Sequence, residues 1–162
     1  MRRAVALALA TAGTAALVSG CGSSASPAPS GKPAASGQRV EVMARSVSGV
    51  GTVLVTSQGD TLYMFEPDNH RAVTCTGTCA GTWPPLMVPS GATLVAGPGV
   101  KTSLLGSDPD PAGGRVATYG GWPLYTYSGD LGPGQATGQS IDLNGGAWYV
   151  LSPDGQPEIP EP

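Results

Sequence analysis

The sequence predicts an all-β fold, a small sandwich or barrel built from two similar halves that each contain a hairpin. Three observations lead there. Apolar and β-branched residues come in short runs, such as Thr52 to Thr56, bounded by turn residues. The 25 glycines and 16 prolines in 162 residues leave no long amphipathic helical stretch. One segment recurs further along the chain, which marks an internal duplication.

Val40 to Arg45 alternates apolar with polar or small residues and opens the sheet. Thr52 to Thr56 and Thr61 to Glu66 form a hairpin around Ser57-Gln58-Gly59-Asp60. In the second half, Arg115 to Tyr119 and Pro123 to Tyr127 do the same around Gly120-Gly121. Ser107 to Gly114 reads as a Pro-rich loop, and Trp148 to Leu151 as a closing strand. One short helical turn fits between Cys75 and Trp83.

The duplication aligns without a gap. Val55 to Asp68 corresponds to Ala117 to Asp130, with Thr, Gly, Leu, Tyr and Asp recurring and Phe65 opposite Tyr127. Gly81 to Leu86 then corresponds to Gly146 to Leu151, each with a tryptophan in third place. The repeats span about 50–89 and 112–155, within a single domain at 40–155 followed by a flexible tail at 156–162.

These residues resemble a family of bacterial secreted repeats, often lipoproteins, marked by the motif Y-x-[FWY]-x-x-D. The motif occurs as Tyr63, Phe65, Asp68 and again as Tyr125, Tyr127, Asp130. The Cys75/Cys79 pair leading to Trp83-Pro84-Pro85, and the terminal Trp148-Tyr149-Val150-Leu151, accompany it. The resemblance implies an exported protein and brings no assigned activity.

The N-terminus agrees with export. Arg2 and Arg3 precede an uncharged stretch from Ala4 to Ser19, shorter than the roughly 20 apolar residues a membrane-spanning helix needs. Leu17-Val18-Ser19-Gly20-Cys21 resembles the lipobox of bacterial lipoproteins. That resemblance implies a signal peptide at 1–20, lipid on the Cys21 thiol, and an address on the extracytoplasmic face of the cell membrane. A diacylglyceryl group brings two chains, as stable anchoring requires. Residues 21–39 form a tether. From Cys21 to Gln38 all but three residues are Gly, Ala, Ser or Pro, too little apolar surface to offset the entropy of ordering.

Beyond Arg2 and Arg3, six basic residues face eleven acidic ones, with no basic cluster. Nucleic acid is therefore excluded as a partner. The expected partners are the membrane, through the lipid, and an envelope protein or glycan, with the chain itself a monomer. If Cys21 carries lipid, Cys75 and Cys79 remain as a pair. Outside the cytosol such a pair is usually a disulfide, and so small a loop gains roughly 2 kcal/mol from it. A redox-active pair or thiolate metal ligands are the alternatives.

In a strand, residues two apart share a face. Tyr63 and Phe65, and Tyr125 and Tyr127, therefore form aromatic faces opposite Leu62/Met64 and Leu124/Thr126. Two readings are open: a core face whose hydroxyls bond backbone, or a surface for a sugar, peptide or flat ligand. Asp68 and Asp130 are placed to fix turns by accepting backbone N–H bonds. Trp83 and Trp148 are expected to cap the core. Trp122, without a counterpart, is the candidate for an exposed ligand contact. His70, the only histidine, falls in a solvated loop. No metal site, cofactor or catalytic residue is assigned, because no nucleophile, metallohydrolase or nucleotide motif occurs. The favoured function is a non-catalytic binding or interaction module. A redox, metal- or haem-binding lipoprotein using Cys75 and Cys79 is the alternative, and a cell-wall enzyme the second alternative.

Overall fold

A computed structural model describes residues 37–70 and 72–161. Cys21, the signal peptide and nearly all of the tether lie outside the described residues. The described chain is built mostly from strands, with one short α-helix, as expected, and two 3-10 turns at Glu66–Asp68 and Thr102–Leu104. In order the strands and the α-helix are β1 (Arg39–Val47), β2 (Gly51–Thr56), β3 (Tyr63–Phe65), α1 (Thr78–Thr82), β4 (Thr93–Ala96), β5 (Leu105–Pro109), β6 (Arg115–Tyr119), β7 (Trp122–Pro123), β8 (Ile141–Leu143) and β9 (Gly146–Val150). They form three small sheets, ordered β2-β1-β4, β3-β9-β8 and β5-β6-β7. Among the described residues no helix is long and apolar enough to cross a membrane.

The two halves are built alike, from a point earlier than the sequence repeat suggests. β1 pairs antiparallel with β2, and β5 pairs antiparallel with β6. β5 is therefore the counterpart of β1, and the repeat begins there. This corrects the reading of Ser107 to Gly114 as a loop: Ser107, Asp108 and Pro109 are strand. Pro109 is tolerated because it ends an edge strand, where a missing N–H costs no ladder bond. Only Asp110 to Gly114 turns, with Asp110 Oδ1 accepting the Ala112 N–H at 2.8 Å.

The two hairpins differ by one residue. In the second, Tyr119 faces Trp122 across a two-residue turn, and Gly120 and Gly121 both have positive φ. In the first, the Gly59 N–H bonds Thr56 O, the Thr56 N–H bonds Asp60 O, and Gly59 has φ +94°. That is a three-residue loop. The gapless alignment therefore slips by one residue before the turn, so Leu54 corresponds to Ala117 rather than to Val116. Side-chain parity agrees. Leu54 and Ala117 lie in one apolar cluster, and Val53 and Val116 in the other.

The first hairpin also parts early. After the Val55–Thr61 bridge and the Leu62 N–H bond to Leu54 O, its second strand leaves to pair with β9. β9 is the Trp-led strand of the second repeat. Reciprocally, the Trp-led segment of the first repeat lies on the second: Pro85 bridges Tyr125, and the Ala117 N–H bonds Leu86 O at 2.8 Å. Its counterpart is the Leu54 N–H bond to Leu151 O at 3.0 Å. Each repeat thus completes the other's sheet. At the centre Tyr63 and Tyr125 exchange both main-chain hydrogen bonds, at 2.8 and 3.0 Å, as two residues facing each other in an antiparallel pair do. The halves are related by a local twofold through that pair.

The first residues of the expected tail are bonded to the domain. The Ser152 N–H bonds Gln156 O, the Glu158 N–H bonds Val150 O, and Gln139 donates to Glu158 O. Residues 156–158 thereby extend the edge beyond β9, satisfying main-chain groups that would otherwise be left unpaired.

Candidate functional site

The family-motif residues meet at the local twofold, inside the domain. Tyr63 Oη donates to Asp130 Oδ2 at 2.6 Å, and Tyr125 Oη donates to Asp68 Oδ2 at 2.7 Å. Each tyrosine thus bonds the aspartate of the other repeat. The other carboxylate oxygen holds its own loop. Asp68 Oδ1 accepts the N–H and hydroxyl of Thr74, and Asp130 Oδ1 accepts the same two groups of Thr137. The aspartates do fix turns by accepting N–H bonds, as the sequence suggested. The Tyr63 and Tyr125 hydroxyls donate to carboxylates, a partner that single-strand reasoning cannot supply, and Tyr63 Oη also accepts the Gly138 backbone N–H at 3.3 Å.

The rings form a column across the same axis. Phe65, Trp148, Trp83 and Tyr127 stack with centroids 4.2, 3.9 and 4.1 Å apart. Trp83 and Trp148 lie parallel to within 1° and are wholly buried. They are the centre of the core and not its caps. Tyr63 meets Trp83 edge-on at 5.3 Å, and Tyr125 meets Trp148 edge-on at 5.2 Å. Each such contact adds about 0.5–1.5 kcal/mol beyond burial. The aromatic faces are core, and only Tyr127 is partly exposed. Gly138 makes room for the column: a Cβ there would meet Trp83 at 2.7 Å and Tyr63 at 3.0 Å.

Burial raises the pKa of both hydroxyls, and bonding to Asp130 or Asp68 raises it further, so Tyr63 and Tyr125 stay protonated at neutral pH. Burial also raises Asp68, against its bonds from Thr74 and Tyr125, which lower it. The folded state then holds a proton on Asp68 more tightly than the unfolded chain does. The contribution of Asp68 is most favourable in acid and falls as pH rises from its ordinary value of 3.8 towards the folded value. Asp68→Asn removes the titration and replaces one of its two acceptor oxygens by a donor, so that either Tyr125 or Thr74 loses its acceptor, costing about 1–3 kcal/mol. Melts of the two proteins should show a stability gap that widens from neutral pH into the acid range. A gap that narrows would contradict the assignment.

Trp122 is not an exposed contact. It is 8% exposed, because Trp122 and Leu124 are two apart on one strand face and both point into the second cluster. The His70 ring lies over it, with centroids 3.7 Å apart. His70 is accordingly not merely solvated. Its Nδ1 is 2.9 Å from Gly120 O, so the Asp68 loop is strapped to the other repeat's hairpin turn. The Gly134 N–H bond to Gly59 O is the counterpart from the Asp130 loop.

Cys75 and Cys79 form a disulfide, with Cα atoms 5.2 Å apart, that closes the loop into α1. Both are buried. Among the described residues, no group of three or more His, Cys, Asp or Glu side chains could hold a metal ion.

A family model described as a secreted repeat of unknown function matches residues 46–87 and 108–152, together more than half of the chain. The chain belongs to this family of secreted repeats. The two matched stretches are the two halves related by the local twofold, so this secreted-repeat protein carries one copy on each side of the axis. Neither a curated protein nor a solved structure matches it.

Proposed function

We propose that this protein is a lipid-anchored lipoprotein of the extracytoplasmic membrane face, and that its paired repeats form a non-catalytic binding or interaction module. The observation that carries the reading is that both motif aspartates and the Tyr63 and Tyr125 hydroxyls are engaged internally, with Tyr127 alone among the motif rings partly exposed. The Tyr63 and Tyr125 hydroxyls and the two carboxylates satisfy one another across the twofold, and the Tyr63, Phe65 and Tyr125 rings fill the core. Such a motif builds a scaffold and leaves neither the Tyr63 and Tyr125 hydroxyls nor the two carboxylates free to bind a substrate. Function then falls to the loops, which is where binding residues on a rigid scaffold are usually found. Membership of a secreted-repeat family supports the address, and the lipobox-like run ending at Cys21 supports the anchor. The partner on this reading is an envelope protein or glycan, met by a monomer held on its tether.

Cys21→Ser should move the protein from the membrane fraction to the medium with its melting temperature unchanged. Retention in the membrane would refute the anchor. The scaffold role has its own test in cells. Tyr63→Phe removes a motif hydroxyl, and the folded variant should keep the wild-type pattern of envelope cross-links. Loss of that pattern in a folded variant would make the motif a site.

A further inference from the structure

The aromatic column carries chemistry that packing alone does not require. Its centre is two parallel indoles shielded from solvent, and one end is the partly exposed Tyr127 ring. Each indole has an edge-on tyrosine whose hydroxyl already bonds a carboxylate. Electron and proton acceptors therefore flank each phenol separately, as one-electron oxidation of a phenol requires.

The two sides differ in two respects. Trp148 Nε1 donates to Leu143 O at 3.0 Å, whereas Trp83 Nε1 has no hydrogen-bond partner among the described residues. An oxidised indole without a proton acceptor keeps its proton and remains a stronger oxidant than the neutral radical left after proton loss. Asp130, beside Tyr63, is partly exposed, whereas Asp68, beside Tyr125, is buried. A proton delivered to Asp130 can exchange with water. Both differences favour the Trp83 side.

We propose that Trp83, Tyr63 and Asp130 form a one-electron relay that quenches radical oxidants reaching the domain surface. The oxidant takes one electron through Tyr127 and is reduced, leaving Trp83 as its radical cation. Tyr63 returns one electron to Trp83, and its hydroxyl proton passes to Asp130 Oδ2. The products are neutral Trp83, a Tyr63 phenoxyl radical and a protonated Asp130. A one-electron reductant of the thiol or phenol class then reduces the phenoxyl, which recovers its proton from Asp130. This relay is independent of the lipid anchor and of any binding partner.

Pulse radiolysis with azidyl radical as the oxidant tests it on the full-length protein. The indole radical absorption should decay into phenoxyl absorption in the wild type. Tyr63→Phe should abolish most of that conversion, and Asp130→Asn should slow it several-fold and diminish its solvent deuterium effect. Tyr125→Phe removes the equivalent bond on the other side and so controls for lost stability; it should convert like the wild type. Wild-type conversion in Tyr63→Phe, equal loss in both tyrosine variants, or no conversion in the wild type would each overturn the proposal.

Discussion

Trp148→Ala is expected to unfold the domain or bring it to the edge of unfolding. Trp148 is wholly buried, stacks on Phe65 and Trp83, meets Tyr125 edge-on and donates to Leu143 O. Removing a buried aromatic of this size costs about 3–5 kcal/mol, and total stability for a domain of this kind is about 5–15 kcal/mol. The cavity cannot collapse easily, because the neighbours on both ring faces are themselves rigid rings. Urea denaturation should show the midpoint collapsing. A loss below about 1 kcal/mol would mean that the column is not the centre of the core.

The second large effect concerns the repeats as folding units. Neither 37–104 nor 105–161 should fold alone, because each lacks the Trp-led strand that completes its sheet and the carboxylate that accepts from its tyrosine. A half alone also exposes one side of the Trp83–Trp148 stack, in a chain already small for an independent core. Each fragment should give an unstructured near-ultraviolet dichroism spectrum, and an equimolar mixture should recover the native one. A single fragment that melts cooperatively as a monomer would show that the repeats are independent.

These results explain which parts of the structure could be read from the residues. The strand periodicity, the helical turn at the cysteine pair, the disulfide and the duplication itself are local patterns, and they stand. Trp122 could have been placed correctly by applying to it the same two-residue parity that placed Tyr63 and Phe65. The missed strand β5 is short, polar and closed by proline, so it carries little alternation to read. The exchange between repeats was not legible at all. Two copies of a tyrosine and two of an aspartate show that pairs form, and each pairing, within or across repeats, satisfies the same atoms. Only the antiparallel crossing at Tyr63 and Tyr125, which sends each strand towards the opposite loop, decides between them.

That choice is the central claim, and a double-mutant cycle measures it directly. Stabilities of Tyr63→Phe, Asp130→Ala and the double variant should yield a coupling of about 1–3 kcal/mol, as for a hydrogen bond to a charged group. The same cycle between Tyr63 and Asp68, its own repeat's aspartate, should yield a coupling near zero. The opposite pattern, with Tyr63 coupled to Asp68 and indifferent to Asp130, would contradict the interlocked pair.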